Sequence, residues 1–181
     1  MTAHLVETLV SKQDIFHGRM IHLRVDTVKL PDGKETTREV VEHPGAVAIV
    51  AETQAGKLLL VTQYRHPIRQ VSIEIPAGKL EQGEPPAEAA FRELLEETGY
   101  QANELKKVMD FYSTPGFSDE IMHLYVARGL TFDKMQPDED EFIDSQAYSK
   151  EEIIHLIRTG QIKDAKTLIG LNWWLYESSA T

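Results

Sequence analysis

Residues 78–100 read GKLEQGEPPAEAAFRELLEETGY, and the rest of the chain is interpreted around them. Pro85 and Pro86 suit the start of a helix, where a missing N–H costs nothing, and alanine and glutamate then favour helix. Gly99 suits the left-handed residue that ends a helix. The stretch therefore predicts one helix of about three to four turns.

Three carboxylates of this helix share one side near its C-terminal end, because Glu96 and Glu97 follow Glu93 by three and four residues. They repel each other and face the negative end of the helix dipole. A helix that only had to be soluble would carry its acids in the first turn. A solvated acidic face is therefore a weaker interpretation than a site for a hard cation such as Mg²⁺, which prefers oxygen ligands.

Composition excludes several classes of protein. The 181 residues allow one domain, or one domain with an arm, and 41% hydrophobic residues suffice for a core. A net charge of −10 argues against a nucleic-acid surface, and the absence of cysteine excludes disulfides and thiolate metal sites. The N-terminus lacks a signal-peptide pattern and no apolar run approaches ~18 residues, so we expect a cytoplasmic protein without a membrane segment.

The order of predicted elements indicates an α+β protein, with a mixed sheet sandwiched between helices. Residues 1–44 are predicted to form an N-terminal antiparallel β arm, with strands at 20–30 and 36–42 around a Pro-Asp-Gly turn. Residues 45–181 are predicted to form the main domain. Its strands are expected at 45–53, 57–65, 71–78, 105–116 and 120–130, an acidic loop at 136–144, and further helices from Ser149 and Asp164.

The central stretch resembles the Nudix box, the motif of the Nudix hydrolases, at eight positions within 22 residues: Gly78, Glu84, Arg92, Glu93, Leu94, Glu96, Glu97 and Gly99. Tyr100 departs from the aliphatic residue of the general motif, but it is still largely apolar. The resemblance implies the Nudix fold. It also implies metal-dependent hydrolysis of nucleoside diphosphates that are linked to another group.

The wider chain resembles the ADP-ribose pyrophosphatase branch of that family. The similar segments are TREVVEHPGAVAIV at 37–50, QYRHP at 63–67, EIPAGKLE at 74–81, DEDEF at 138–142, and Pro115, fifteen residues after Tyr100. The branch implies hydrolysis of ADP-ribose to AMP and ribose 5-phosphate with Mg²⁺, for which Mn²⁺ can substitute. It also implies a homodimer whose N-terminal strands are exchanged, so that the arm at 1–44 would pair with a partner chain.

The metal site is expected on the helix and on the loop before it. Glu93 and Glu97 are the first-choice ligands and Glu96 is a third. The resemblance adds the backbone carbonyl of Ala77. Gly78 lets the backbone come close to a ligand because it has no side chain.

Other residues are expected to position these groups or to supply the base. Arg92 is interpreted as an orienting partner of Glu84 or Glu74 rather than as a catalyst. In the branch the general base comes from an acidic loop, and alignment places Glu139 at the base. Glu141 is the second candidate, or an additional metal ligand. A run of acids in a loop is otherwise simply solvated.

The resemblance places substrate contacts at three positions outside the motif. Arg38 and Arg65 match residues that hold the substrate, and guanidinium groups bind phosphate bidentately and stack on bases. Glu120 matches a residue that contacts the terminal ribose. Each of the three is otherwise an ordinary surface residue. Phe16 is the one aromatic near residues 18–20 for stacking on adenine.

Three functions are compatible with these residues. The first is ADP-ribose hydrolysis. The second is the same chemistry on another nucleoside diphosphate sugar or a damaged nucleoside triphosphate, although Pro115 and the acidic loop argue against a triphosphatase. The third is a sensor that binds ADP-ribose without cleaving it. A sensor would be expected to have lost motif carboxylates, and this chain retains them.

Overall fold

The computed structural model describes residues 2–135 and 141–178. The chain divides into two compact units. The first contains the described residues up to Gly45 together with Tyr112–Ile121, and the second contains Ala46–Phe111 and the described residues from Met122 onward. The segment Tyr112–Ile121 thus groups with the N-terminal residues, whereas the sequence pattern predicts it as part of the main domain.

The first unit is built on a three-stranded antiparallel sheet in the order β1 (Thr8–His17), β2 (His22–Lys29) and β3 (Glu35–Glu42), after a short 3₁₀ turn at Ala3–Leu5. The predicted turn between β2 and β3 is confirmed. Gly33 has φ 88°, a left-handed conformation that glycine adopts without steric cost. β1 was not predicted as a separate strand, and it is exposed along its whole length.

The second unit is built on a mixed seven-stranded sheet whose main order is β10-β5-β4-β9-β8. β4 pairs in parallel with β9, whereas β6 and β10 pair antiparallel with β5, and β7 with β4. Its strands are β4 (Ala46–Glu52), β5 (Leu58–Arg65), β6 (Gln70–Glu74), β7 (Ala77–Lys79), β8 (Tyr100–Tyr112), β9 (Ile121–Phe132) and β10 (Ile143–Tyr148). Its helices are α1 (Pro86–Thr98), α2 (Lys150–Arg158) and α3 (Ala165–Glu177), with a 3₁₀ turn at His66–Ile68.

The sheet separates two apolar layers, which confirms the predicted sandwich. Successive residues of β4 point to opposite faces, so Val47 and Ile49 pack with α1, while Ala48 and Val50 pack with α2 and α3. All of them are buried. A strand covered on both faces reads as a continuous apolar run, which is how 45–53 appears in the sequence.

The predicted strand at 71–78 is two strands, because Pro76 interrupts it. Proline has no N–H to donate to a strand ladder, so β6 ends at Glu74 and β7 begins at Ala77. The carbonyl of Pro76 still accepts from the N–H of Ile49 at 2.8 Å. The break changes the strand's partner from β5 to β4 and delivers the chain to the N-terminal side of α1.

Both predicted helix starts after the acidic segment are confirmed. Ser149 forms a capping box with Glu152 at the start of α2, and the Asp164 carboxylate accepts from the N–H of Thr167 at the start of α3. No helix within the described ranges combines the length and apolar character needed to cross a bilayer.

Candidate active site

Helix α1 presents its carboxylates in a fixed direction because its apolar side is anchored in the sheet. Ala89, Ala90 and Leu94 are fully buried in the layer between α1 and the sheet. Glu93 and Glu97 lie next to this apolar stripe and retain only 9% and 3% of their exposure. The helix ends as predicted at Gly99, whose φ is 76° and whose N–H donates to Leu95 O at 2.8 Å.

The Glu97 carboxylate is held by the loop that precedes α1. Its Oε2 accepts from the backbone N–H of Ala77 at 2.9 Å. Burial raises the pKa of Glu97 to about 8; the bond from Ala77 opposes the rise, and the charges of Glu93 and Glu141 add to it. In the absence of a cation, this carboxyl group is therefore difficult to ionise.

The Glu93 carboxylate occupies the space above Gly78. A Cβ atom built on Gly78 would lie 1.9 Å from Glu93 Cδ, so any other residue at position 78 would displace this carboxylate. Burial raises the pKa of Glu93 to about 6, although its hydrogen bond to Arg92 counteracts the rise. Two buried glutamates with raised pKa values on one face of a helix are an unfavourable arrangement unless positive charge compensates them.

Arg92 supplies part of that positive charge. Its Nε and Nη2 donate to the two oxygens of Glu84 at 2.8 and 2.9 Å, and its Nη1 donates to Glu93 at 2.7 Å and Glu96 at 2.9 Å. Glu84 also accepts from the N–H of Glu81 at 3.0 Å. Hydrogen bonding to Arg92 lowers the pKa of Glu84, so this pair stays ionised. Of the two partners considered for Arg92, the structure selects Glu84.

The residues fit a divalent cation, although the described residues contain no ready-made group of three or more such ligands. The carboxylates are bonded within the protein: Arg92 donates to Glu93 and Glu96, and Ala77 donates to Glu97. Glu93 accepts through Oε1 and Glu97 through Oε2. Within the described ranges, the other oxygen of each carboxylate has no donor. Hard carboxylate oxygens, buried and electrostatically strained, are the donor chemistry that Mg²⁺ or a similar cation requires.

Arg65 is paired with Glu74 rather than with the carboxylates that Arg92 bonds. Its Nε and Nη2 donate to the two oxygens of Glu74 at 2.9 and 2.7 Å, and the ammonium of Lys166 donates to the same carboxylate. Burial alone would raise the pKa of Glu74, but these two cations hold it at about 2. Sequence reasoning missed Lys166. A glutamate in an otherwise apolar strand was the available signal, because a buried carboxylate needs a cationic partner.

The predicted substrate residues Arg38 and Glu120 lie in the first unit. Arg38 Nε donates to Glu7 at 3.1 Å. Glu120 accepts from the hydroxyl of Ser113 and lies 3.6 Å from the imidazole of His43. Pro115 belongs to the same segment as Glu120, and Val41 holds this segment against β3: its N–H donates to Phe117 O at 2.8 Å, and its carbonyl accepts from Asp119 at 3.3 Å. These contacts leave the proposed roles of Arg38 and Glu120 as predictions.

Of the two candidate bases, Glu139 and Glu141, the structure describes Glu141 alone. Glu139 lies outside the described residues. Glu141 lies two residues before the start of β10, and its charge contributes to the raised pKa values of both Glu93 and Glu97. Glu141 is therefore close enough to the carboxylates of α1 to interact with them electrostatically.

Comparison with known proteins places this chain in one family. A family model described as the NUDIX domain matches residues 42–169, and the chain belongs to the Nudix hydrolase family. A second model, the nucleoside diphosphate sugar hydrolase N-terminal domain, matches residues 7–41.

Individual relatives narrow the comparison. The chain is 45% identical over 171 residues to an ADP-ribose pyrophosphatase of Bacillus subtilis (strain 168), covering 93% of this chain and 92% of that protein. It is also 45% identical over 169 residues to a methanol dehydrogenase activator of Bacillus methanolicus, covering 92% and 91%. A crystal structure of an ADP compounds hydrolase has the same fold, with a TM-score of 0.82, 22% identity, and coverage of 94% of this chain and 92% of that one.

Proposed function

We propose that this protein is a divalent-metal-dependent hydrolase that cleaves ADP-ribose to AMP and ribose 5-phosphate. The observation that carries the proposal is the pair of buried carboxylates, Glu93 and Glu97, beside the loop at Ala77 in a chain of the Nudix family. The similarity to the Bacillus subtilis ADP-ribose pyrophosphatase supports the choice of substrate.

Glu93, Glu96, Glu97 and the carbonyl of Ala77 are the residues that would hold the metal, for which we propose Mg²⁺ with Mn²⁺ as a substitute. Bound divalent cations neutralise a pyrophosphate and lower the pKa of water. The described geometry supports this set through the two buried carboxylates and the loop of Ala77, which the Glu97 carboxylate holds by its backbone N–H.

The protein's own residues do the remaining work. Arg92 keeps Glu93 and Glu96 in place through its bonds to both and to Glu84. Arg65 donates to Glu74 through Nε and Nη2. Within the described part of the chain its Nη1 has no acceptor, so the edge of the guanidinium that carries Nη1 is available for a phosphate oxygen. We assign phosphate or base contacts to Arg38, and ribose contacts to Glu120, on resemblance alone.

The reaction consumes one water molecule. Its oxygen forms a bond to one of the two phosphorus atoms, and the bond from that phosphorus to the bridging oxygen breaks. The bridging oxygen leaves with the other phosphate, so each product is a monophosphate. We propose that Glu139 accepts the water's proton and that Glu141 is the second candidate for this role.

A substrate panel tests the function. Purified full-length protein with Mg²⁺ is incubated with ADP-ribose, other nucleoside diphosphate sugars and nucleoside triphosphates, and the products are separated by chromatography. We expect AMP and ribose 5-phosphate from ADP-ribose as the fastest reaction. Faster turnover of another nucleoside diphosphate sugar would move the assignment to that substrate, which the description of the family model at residues 7–41 would equally fit. Binding of ADP-ribose without turnover of any compound would instead identify a sensor.

A second candidate function rests on the relative from Bacillus methanolicus, which is named as a methanol dehydrogenase activator. The test is a methanol dehydrogenase assay with and without this protein. A rate increase that Glu97→Gln abolishes would support activation that depends on the same site. No change in rate would leave hydrolysis as the function.

The two candidate bases can be separated by kinetics. Glu139→Gln is expected to lower kcat about a hundredfold while the Mg²⁺ concentration for half-maximal activity stays the same, because a base does not hold the metal. Glu141→Gln is the matched variant two residues away. If Glu141→Gln lowers kcat more than Glu139→Gln without changing the Mg²⁺ dependence, the base is Glu141.

We also propose a homodimer in which the arm at residues 1–44 is exchanged and residues 45–181 form the catalytic domain. The support within the first unit is the exposure of β1, whose Leu9, Val10, Ile15 and Phe16 each keep about half of their surface in solvent. Light scattering at several protein concentrations tests the dimer, and a monomer at high concentration would contradict it. The cytoplasmic location stays a prediction from the sequence.

A further inference from the structure

The buried carboxylate of Glu74 is shared by two cations from different parts of the second unit. Arg65 approaches it from β5 through two hydrogen bonds, and Lys166 approaches it from the first turn of α3. Glu74 is 2% exposed, and the side chain of Lys166 is only 12% exposed. Both cations therefore meet at one buried acid, and Lys166 is also within ion-pair distance of a second carboxylate, that of Asp164.

The start of α3 is joined to the same segment by further contacts. The buried hydroxyl of Thr167 accepts from the N–H of Ile75 at 3.0 Å and donates to Asp164 at 2.6 Å. Asp164 in turn lies 3.1 Å from the ammonium of Lys166. The first turn of α3 therefore holds both the side chain of Glu74 and the backbone of the next residue, two positions before Ala77.

Arg65 takes its orientation from Glu74. Its guanidinium is planar and bonds Glu74 through Nε and Nη2, so the position of that carboxylate fixes the direction of Nη1. A third group that bonds this carboxylate further limits its rotation about its own side-chain bonds. Lys166 bonds Oε2, the oxygen that also accepts from Arg65 Nη2, and thereby holds it.

We propose that Lys166 is a positioning residue for Arg65: by fixing the carboxylate of Glu74, it aims the free edge of the Arg65 guanidinium at a phosphate of the substrate. The inference rests on the proposed function, in which Arg65 contacts the pyrophosphate. Lys166 itself contacts no substrate in this arrangement, because its ammonium is engaged by Glu74 and Asp164.

The test compares Lys166→Met, Lys166→Arg and a matched control, Lys163→Met. Lys163 lies three residues away, is exposed, and has no ion pair within the described ranges, so its replacement removes the same charge without touching Glu74. With ADP-ribose and saturating Mg²⁺, Lys166→Met is expected to raise KM about tenfold with kcat nearly unchanged, since an outer partner of a binding group is lost. Lys166→Arg should restore KM, because it keeps a cation within reach of Glu74.

A second readout does not depend on turnover. The Kd of ADP-ribose is measured by calorimetry in EDTA for the wild type, Lys166→Met, Arg65→Met and the double variant. If Lys166 acts through Arg65, Lys166→Met weakens binding in the wild-type background but adds nothing in the Arg65→Met background. If Lys166→Met does not fold, Lys166→Gln replaces it in the same cycle, because glutamine retains a hydrogen-bond donor.

The outcomes separate this inference from the proposed function. If the wild type cleaves ADP-ribose but Lys166→Met behaves like Lys163→Met, the inference alone is wrong. Equal losses from Lys166→Met in both backgrounds would also overturn it, because Lys166 would then act independently of Arg65. If the wild type neither binds nor cleaves ADP-ribose, the proposed function fails and the inference falls with it.

Discussion

Replacing Gly78 with alanine tests whether the loop before α1 must lie directly against the Glu93 carboxylate. The added Cβ would lie 1.9 Å from Glu93 Cδ and 2.0 and 2.2 Å from its two oxygens, whereas ordinary contact begins at 3.4 Å. The carboxylate therefore has to move by about 1.5 Å, the difference between 3.4 and 1.9 Å. Glu93 is buried and bonded to Arg92 at 2.7 Å, so it has little room to do so.

The expected result is a large loss of turnover with a modest loss of stability. A misplacement of about 1 Å in a catalytic arrangement can cost on the order of a hundredfold in rate, and we expect at least that loss in kcat with ADP-ribose. Overpacking a well-packed site costs about 1–3 kcal/mol of unfolding free energy, so the variant should remain folded. The assay is steady-state hydrolysis at several Mg²⁺ concentrations, with urea unfolding measured in parallel.

Gly56→Ala is the matched control. Gly56 favours glycine for a conformational reason, since its φ is 68°, but a Cβ there meets nothing within 4 Å. Alanine in the left-handed region costs about 1–2 kcal/mol, so this variant should lose similar stability and keep its kcat. If Gly78→Ala retains kcat within about threefold of the wild type, turnover does not depend on the position of the Glu93 carboxylate, and the reasoning from its geometry is refuted.

Three further perturbations address the same site. Glu97→Gln should weaken Mg²⁺ binding and lower kcat about a hundredfold or more, because it removes a buried anionic ligand. Calorimetric titration measures the Mg²⁺ binding and a hydrolysis assay measures kcat. A change of only a few-fold would contradict the metal assignment. In EDTA, the free energy of unfolding should fall as the pH rises from about 4.5 to 8. The folded-state pKa values of Glu93 (about 6) and Glu97 (about 8) lie above the ordinary value of 4.5. Over this pH range the folded protein therefore retains protons that the unfolded chain releases. Urea unfolding at pH 5 and pH 8 checks this slope, and Mg²⁺ should restore stability at pH 8; equal stability at both pH values in EDTA would contradict it. Arg92→Lys should lower kcat about tenfold or more, because an ammonium has no planar pair of donors to bind both oxygens of Glu84 while it also bonds Glu93 and Glu96. Glu84→Gln should lower kcat less, because among the described side chains Glu84 is bonded by Arg92 alone. Hydrolysis assays that rank the two variants in the reverse order would contradict this.

Local patterns were sufficient for the helix that carries the carboxylates. The prolines, the helix formers and Gly99 are all within 15 residues of each other, and they predicted α1 correctly. The difference in burial among its glutamates was not available from that pattern. The sequence grouped Glu96 with Glu93 and Glu97, but the burial of Ala89, Ala90 and Leu94 rotates the helix so that Glu96 stays more exposed than the other two.

The apolar pattern of 71–78 predicts one strand, but the structure breaks it at Pro76, because proline cannot continue a paired strand. The consequence matters for the site, because the break lets the chain leave β5 and join β4. Ala77 then lies where its N–H bonds Glu97, 20 residues further along the chain.

The partners of Glu74 show why the remainder could not be predicted. Lys166 lies 92 residues from Glu74, in a helix whose sequence DAKTLIGL reads only as a capped apolar helix. Nothing in the spacing of either residue indicates the other, because their contact depends on how α3 packs against the sheet. A buried carboxylate in β6 does require a cation, but many lysines and arginines in the chain would satisfy that requirement equally well on paper. Sequence patterns therefore specify which chemistry α1 carries, while the arrangement that aims Arg65 arises only when α3 is packed against the strands.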